Sequence, residues 1–367
     1  MEPDHTSLKD KLAVVYYRTF IIAFYIALLY LGREVIIPLV YALLFSFLLL
    51  PLSKFLEKHG LPRALAIIIS VTLFILIVGV ILFFLGFEVV QISKNLPSIL
   101  GKLEATMENA RRFMESNFKG ISEEMDIQSM MLERGEAFIM NFVNSLTSMG
   151  DTLLYIGIQP ILIYFILYFR KLPTIFIERQ YKKQGQESMK DLLYKAQTVI
   201  RQYLQGLLWL TVLTFAMDYI ILLALGIQYA LFFALFLAIM SLIPYIGQII
   251  ANVVVVGFAL LTEDSLLIPG LVLGLIYVAN LTQENIFRPW LVGNSTKINA
   301  FAVLLSVIVG GMLWGVSGMI LFIPMIGVIK IILEESKDLY PYATFLGGLD
   351  ESKKKAKKEN VNNLEKS

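Results

Sequence analysis

The composition of this chain excludes a soluble globular protein. Of its 367 residues, 57% are hydrophobic and 16% are charged, whereas soluble domains average about 45–50% apolar and about 25% charged residues. The net charge of +2 is too small to indicate a nucleic-acid partner. With no cysteine and only two histidines, the chain lacks the ligands of a buried metal site built on those residues, and a site made of carboxylates alone is all that remains for a metal. We expect no metal and no cofactor.

Three apolar blocks near the N-terminus have the length of membrane spans. Ala13–Leu31, Val35–Leu52 and Ala64–Phe87 are near or above the ~20 residues that cross a ~30 Å hydrocarbon core. Because backbone amides in lipid must be satisfied within their own segment, each block is predicted to be a helix. Residues 1–87 therefore form an N-terminal three-span region, the first of five predicted segments.

Residues 88–150 form the second segment, which is predicted to be an amphipathic helical arm outside the membrane. Charges appear here, and apolar residues recur at helical spacing in a stripe from Ile92 to Met114. We expect the arm to break near Lys119–Gly120. Its stripe would pack on itself or on a neighbouring subunit.

Three further segments complete the predicted organisation. The third, 151–200, combines a fourth span near Thr152–Phe169 with a basic amphipathic helix on the cytoplasmic membrane surface. The fourth, 201–335, contains a fifth span near Gly206–Leu225, two long apolar stretches and another apolar block between them. The fifth, 336–367, is a basic cytoplasmic tail that we expect to be disordered.

Basic residues in the short loops set the expected orientation. They are numerous before the first span, in the loop 53–63 and in the segment 170–201, but none lies in Gly226–Tyr229. The positive-inside rule then places both termini in the cytoplasm and the arm outside. The predicted location is the cell inner membrane, where the lipid bilayer surrounds the spans.

The two long apolar stretches, Tyr229–Leu261 and Ile298–Leu333, are too long for simple spans and are interrupted near the middle. Proline removes an amide donor and glycine lowers helix stability, so both interruptions favour a break. Paired interrupted segments point to the substrate site in secondary transporters. The predicted broken backbone comprises Pro244 and Gly247 in the first stretch and Gly310, Gly311, Gly315 and Gly318 in the second.

Charge placement favours hairpins over single crossings. If each stretch crosses once, Glu263 lies inside and Arg288 and Lys297 lie outside; if each returns to its own side, these positions reverse, as the positive-inside rule prefers. We therefore predict an all-α integral membrane protein with six full spans and two oppositely oriented helical hairpins whose tips approach each other. Kinked single helices, which would give eight spans, are the alternative.

Asp218 is the clearest ionisable residue inside a span, and such residues are costly enough that a functional role is the default interpretation. Thr211, Thr214 and Asp218 share one helical face at i, i+3, i+7 spacing. This stripe is a candidate polar path in which Asp218 binds a coupling Na⁺ or H⁺. The alternative is a protonated or hydrogen-bonded packing residue.

A second polar cluster ends the block between the two stretches. Asn280, Glu284 and Arg288 share one helical face, and Gln283 and Asn285 lie beside them. The Glu284–Arg288 order is the favourable one at i, i+4. The cluster is either a gate or cation-binding carboxylate beside the first hairpin, or a neutralised pair at the membrane edge.

Other candidates flank these groups. Asn252 would contact cargo or form a hydrogen bond across helices. Arg201, Tyr203 and Arg288 are candidate membrane-interface anchors, and snorkelling accounts for Arg201 equally well. Pro289 is grouped with the gating backbone.

Four segments carry a resemblance to a known family. They are 200–206, 242–247, 284–293 and the glycine-rich run from Gly310 to Pro324. Together they are similar to the autoinducer-2 exporter family of bacterial and archaeal membrane proteins. The resemblance implies export of a small polar signalling molecule or, in some members, exchange of Na⁺ for H⁺, and it suggests a homo-oligomer.

Enzymatic functions have little support. The sequence Gly315-Val316-Ser317-Gly318 superficially matches an intramembrane serine protease, but no histidine lies in any predicted span to act as the base. No G-x-x-x-x-G-K-[ST] loop indicates a primary pump. We therefore predict a secondary transporter rather than an enzyme, with a channel or a structural oligomeric scaffold as the alternative.

Overall fold

The computed structural model confirms the all-α membrane class. It describes residues 8–117, 153–180, 183–263, 265, 267–292, 298–336 and 339–347. Within these ranges the chain is helical and no strand occurs. The helices are α1 (Leu8–Leu31), α2 (Arg33–Lys58), α3 (Arg63–Asn117), α4 (Leu153–Tyr168), α5 (Leu172–Gln180), α6 (Lys183–Ala224), α7 (Ala230–Met240), α8 (Ile246–Thr262), α9 (Leu267–Thr282), a π-helical turn (Gln283–Phe287), α10 (Arg288–Leu291), α11 (Ala300–Glu335) and α12 (Tyr340–Gly347).

Several of these helices are long and apolar enough to cross a membrane. By length and composition the described residues contain five such segments, or six if the bent pair Gly157–Tyr168 and Leu172–Gln180 is one span. The five are Arg33–Lys58, Arg63–Asn95, Met189–Ala224, Leu267–Leu291 and Ala300–Glu335. The last, Ala300–Glu335, is not one straight helix, because two helices are joined within it at Gly315. The chain is therefore a multi-pass protein.

Packing divides the chain into two compact units. One consists of Met1–Phe45 and Ile298–Ser367, and the other of Ser46–Lys297. The five segments predicted from the sequence follow changes in composition, and as functional divisions they stay a prediction.

The arm begins as a continuation of a span. α3 runs without interruption from Arg63 to Asn117, so the membrane helix and the start of the arm belong to one helix. Ile92, the first residue of the predicted stripe, is buried with Val89 among residues of α7 and α8. The stripe therefore starts against a hairpin of the same chain, not only against itself or another subunit. The predicted break near Lys119 lies outside the described residues.

A single helix joins the predicted surface segment to the fifth span. The two were expected to be separate, but α6 continues from Lys183 through both to Ala224. Gly206, at the junction, does not interrupt it. A Cβ at this position would overlap the Leu291 carbonyl oxygen and lie 2.7 Å from Cα of Val292, so the glycine allows close contact with α10.

The first long stretch is a helical hairpin of α7 and α8. Aromatic rings of the two helices are in contact far from the turn, with the ring centroids of Phe233 and Phe258 4.5 Å apart. A continuous helix would separate these two residues by about 37 Å. The helices have 11 and 17 residues, and neither alone reaches the ~20 residues of a full span. The kinked-helix alternative is therefore wrong here.

The second long stretch also reverses direction, at Gly315. This residue has φ 60° and ψ −140°, and it joins two helices within α11. Gly310 and Gly318 touch backbone to backbone, so that a Cβ at 318 would lie 3.0 Å from Cα of Gly310. In a straight helix they would be about 12 Å apart. Both interruptions are thus fold-backs, while their sidedness in the bilayer stays a prediction.

Part of the C-terminal tail is ordered, contrary to the disorder expected from residue 336. α12 covers Tyr340–Gly347 and buries Ala343. Asn299 at the start of α11 ties it down, because its backbone N–H donates to the Leu346 carbonyl at 2.9 Å and its side-chain amide donates to the Phe345 carbonyl at 2.7 Å. The basic run after residue 350 lies outside the described residues.

Candidate functional site

A buried polar contact joins α6 to the π-helical turn. Thr214 is 1% exposed and Gln283 is 2% exposed. The Thr214 hydroxyl lies 2.8 Å from Oε1 of Gln283 and 2.9 Å from the carbonyl oxygen of Leu210, so its one proton is shared between the two acceptors. Nε2 of Gln283 is buried and has no hydrogen-bond partner among the described residues. The Gln283 amide therefore has a hydrogen-bond partner for its oxygen and none for its nitrogen among the described residues.

Asp218 lies one helical turn beyond Thr214 on α6 and is fully buried, at 0% exposure. Neither of its carboxylate oxygens has a hydrogen-bond partner in the part of the chain that the structure describes. An ionised carboxylate without a partner is strongly disfavoured in an apolar medium, and such a group becomes neutral or acquires a counter-ion. Asp218 is thus suited to hold a proton or a small cation.

The π-helical turn Gln283–Phe287 places Gln283 opposite α6. Such turns are rare and frequently occur at functional sites. Pro289 provides a local cause, because its ring has no N–H and would clash with the carbonyl of residue 285 in a regular α-helix. The wider turn precedes this proline, which lies at the start of α10.

The second predicted cluster divides between two environments. Glu284 and Arg288 form an ion pair at 2.8 Å with side chains 40% and 27% exposed, which is worth about 0–1 kcal/mol. Asn280 donates to Asn252 at 3.5 Å, the outer limit of a hydrogen bond, and so links α9 to α8. Asn285 is exposed and donates to the Leu281 carbonyl of its own helix.

The remaining predicted residues of α6 lie near this region in different settings. Thr211 is half-buried and donates to the Leu207 carbonyl. Arg201 is half-buried. Tyr203 is 6% exposed and lies within electrostatic range of Arg288; its role as a membrane-interface anchor stays a prediction.

The predicted gating backbone occupies both hairpin turns. Pro244 and Gly247 flank the first, and a Cβ at Gly247 would overlap the Met240 carbonyl oxygen. Gly315 is the turn of the second. Gly310 meets Gly318, whereas Gly311 approaches only the side chain of Met319.

Four polar or small residues escaped the sequence-based site. They are Gln283, Gly206, Gln248, whose Nε2 is buried without a partner, and Lys330, which is 2% exposed with Nζ 3.5 Å from Oε1 of Glu334. Lys330 had a signal, since it is a lone cation in the apolar run that ends the second stretch. Gln283 also had one, as a member of the polar cluster, but nothing in the sequence revealed that it turns toward α6.

Comparison with known proteins decides the family. The family model described as AI-2E family transporter matches residues 19–338 of this chain. The chain belongs to the AI-2E transporter family. This confirms the resemblance drawn from the sequence motifs, and it makes the chain a multi-pass membrane transporter that acts on small molecules in a lipid environment.

Individual AI-2E relatives are distant but match over most of their length. YrrI of Bacillus subtilis (strain 168) is 23% identical over 313 residues, which cover 82% of this chain and 86% of YrrI. The AI-2 transport protein TqsA of Escherichia coli (strain K12) is 24% identical over 320 residues, covering 87% of this chain and 91% of TqsA. YueF of Bacillus subtilis (strain 168) is 26% identical over 316 residues, covering 80% and 82%.

Proposed function

We propose that this protein is a secondary transporter that exports a small polar signalling molecule such as autoinducer-2, or exchanges a cation for protons. The observation that carries the proposal is Asp218, a fully buried carboxylate with no partner for either oxygen among the described residues. The name of the relative TqsA, an AI-2 transport protein, supports this class of cargo.

In this proposal Asp218 binds the coupling proton or cation. With the ion bound, the side chain is neutral and tolerates its apolar surroundings; without it, the charge favours a state in which water reaches the carboxylate. The Thr214–Gln283 contact one turn away supplies oxygen ligands and one uncommitted amide donor. Binding at Asp218 would thus alter the packing of α6 against the π-helical turn.

The two hairpin turns are the proposed moving parts for alternating access. Non-helical backbone at membrane depth is tolerated only where protein or a water-filled cavity satisfies it. Broken helices of this kind form substrate sites in secondary transporters. The Asn252–Asn280 contact and Glu284 are proposed to line the polar path beside the first hairpin.

The proposal includes an assembly and an orientation. The protein lies in the inner (cytoplasmic) membrane with both termini on the cytoplasmic side, and it forms a homo-oligomer. The arm that begins at the end of α3 supports an interface outside the membrane, since it projects a further helical segment past the span.

Flux in proteoliposomes tests the role of Asp218. Wild-type protein should move autoinducer-2, or Na⁺, faster when a pH or Na⁺ gradient is imposed than without one. Asp218→Asn keeps the shape of the side chain but removes its titratable group, so flux should lose its dependence on the gradient. Asp191→Asn is the matched control, because Asp191 lies on the same helix, is exposed and pairs with Lys195.

The outcomes separate the candidate functions. Unchanged coupled flux in Asp218→Asn removes Asp218 from the mechanism. Gradient-independent flux without saturation in the wild type identifies a channel. Absence of flux for every cargo leaves the structural scaffold. A loss of coupling in Asp191→Asn as well would show that the defect is not specific to the buried site.

A further inference from the structure

A cavity of about 500 Å³ lies between the first turn of α3 and the turn that joins α4 to α5. Its lining combines two cations, two aromatic rings and aliphatic side chains, and it contains no carboxylate. The residues that matter here are Arg63, Lys171, Tyr168, Phe169, Leu172 and Ile175. The cavity is distant in sequence from Asp218, and nothing in the transport proposal uses it.

Arg63 is held in place by the wall of the cavity. Its Nη2 donates to the Leu167 carbonyl at 2.9 Å, and its guanidinium carbon lies 5.5 Å from the centroid of the Tyr168 ring. Its Nε is buried and has no hydrogen-bond partner among the described residues. The guanidinium is therefore fixed in orientation while part of its donor capacity is unused.

A carboxylate within electrostatic range of Arg63 is already engaged by another cation. Glu57, at the end of α2, accepts from both Nη atoms of Arg170, at 2.9 Å and 2.6 Å. Lys171 is exposed at the mouth of the cavity. The last turns of α2 carry two more exposed cations, Lys54 and Lys58. The positive charge of this rim thus remains available to an external anion.

The other wall of the cavity is apolar and aromatic. The end of α4 carries two stacked ring pairs, Tyr164 on Tyr168 and Phe165 on Phe169, the residue types that gather where hydrocarbon meets water. Leu172 and Ile175 continue this surface and are exposed. An occupant that satisfies both walls needs an anionic head and an apolar tail.

We propose that this cavity binds the phosphate headgroup of an anionic membrane lipid, with an acyl chain along Leu172 and Ile175. Arg63 and Lys171 bind the phosphate, because basic pockets between membrane helices recognise such headgroups and each interfacial cation adds to the attraction. A lipid headgroup and free phosphate would both present a phosphate mono-anion to these two cations. The apolar wall assigns it to a lipid rather than to free phosphate.

Binding of phosphatidylglycerol to the purified, detergent-solubilised full chain tests the proposal. A tail-labelled phosphatidylglycerol should bind the wild type, and unlabelled phosphatidylglycerol should compete far better than phosphatidylcholine or inorganic phosphate. Lys171→Gln should weaken the apparent Kd about fivefold, the effect of one interfacial charge. Lys171→Arg should retain the wild-type affinity.

Lys94→Gln is the matched control, since Lys94 is an exposed lysine of α3 that lies about 46 Å along the helix from Arg63. It removes the same charge and should leave the affinity unchanged. Equal affinity in Lys171→Gln and wild type would overturn the proposal, as would equal competition by phosphatidylcholine. Full displacement by inorganic phosphate, with no dependence on the acyl chain, would contradict the lipid assignment. Lys171 is exposed, so each variant should elute as folded protein in size-exclusion chromatography.

Discussion

The two hairpins make the same reversal with different local chemistry. In the first, Ile246 N–H donates to the Pro244 carbonyl at 2.7 Å across Tyr245, whose φ is 64° and ψ −60°. This is a γ-turn of the rare, strained hand. In the second, Gly315 takes a positive φ that a glycine adopts readily. One turn is therefore strained at a tyrosine and the other is relaxed at a glycine.

The packing next to each turn differs as well. In the second hairpin Gly310 and Gly318 place backbone against backbone, with the Trp314 and Phe322 rings 5.2 Å apart beside them. In the first, Gly247 alone packs beneath the turn, against the Met240 carbonyl. The difference teaches that the second reversal depends on close backbone approach, whereas the first depends on a strained turn held by the helices around it.

The largest effect is expected at the glycine crossing of the second hairpin. In Gly310→Ala the new Cβ would overlap the Gly318 carbonyl, which is backbone and cannot move aside, so stability should fall by about 3 kcal/mol. Gly311→Ala is the control, because its Cβ meets only the flexible Met319 side chain. The stability of both variants can be measured by thermal unfolding, with size-exclusion chromatography used to detect the remaining folded protein. Equal stability of the two variants would contradict the crossing.

A smaller loss is expected beneath the first turn. Gly247→Ala places a Cβ against the Met240 carbonyl and 3.0 Å from Cβ of Ile243. The neighbouring Tyr245 and Ile246 are exposed, so the turn can shift, and the loss should be about 2 kcal/mol. Gly257→Ala on the same helix faces open space and serves as the reference. A Gly247→Ala variant as stable as this reference would show that the turn packs loosely.

Gly315→Ala isolates backbone conformation from packing. Nothing lies within 4 Å of the position of its Cβ, so only the backbone conformation is penalised. The combination of φ 60° and ψ −140° is close to a region that only glycine adopts readily, and the cost for alanine should be about 2 kcal/mol. The same thermal assay measures the shift in Tm. A Gly315→Ala variant with the wild-type Tm would mean that the chain reverses elsewhere.

Tyr245→Gly should act in the opposite direction. Glycine relieves the positive φ, which costs about 1–3 kcal/mol at a tyrosine, and part of this gain is offset by greater freedom in the unfolded chain. A net stabilisation of about 1 kcal/mol is expected. Tyr245→Phe keeps the strain and should leave Tm unchanged. Destabilisation by Tyr245→Gly would show that the tyrosine side chain, not the backbone, matters at this turn.

The fold was largely predictable because lipid imposes strong rules. The lengths of the apolar segments predicted the membrane spans, and Pro244 and Gly315 indicated where the two long stretches reverse. What sequence reasoning missed depends on contacts made far along the chain. α12 forms because Asn299 binds the carbonyls of Phe345 and Leu346, and no local pattern in residues 340–347 reveals that partner. The strained φ of Tyr245 was equally hidden, since tyrosine gives no sign of a left-handed turn.

The candidate site was predictable in part. Asp218 and Thr214 stood out because polar residues are rare inside spans, and both are buried in the structure. Gln283 was recognised as part of the polar cluster, but its contact with Thr214 was not foreseen, because that contact requires the π-helical turn ahead of Pro289. The anchoring role of Tyr203 stays a prediction, because an aromatic residue near a helix entrance can face lipid or protein and the sequence alone does not decide between them.

Labelling the two ends of the first hairpin tests most directly whether this broken segment returns to its own side of the membrane. The chain has no cysteine, so Gln228→Cys, Glu263→Cys and Lys58→Cys each report one position to a membrane-impermeant maleimide. We predict that 228 and 263 are labelled from the same side and 58 from the opposite side. Labelling of 228 and 263 from opposite sides would mean that the segment crosses the bilayer, and it would contradict the re-entrant hairpin on which the proposed transport mechanism rests.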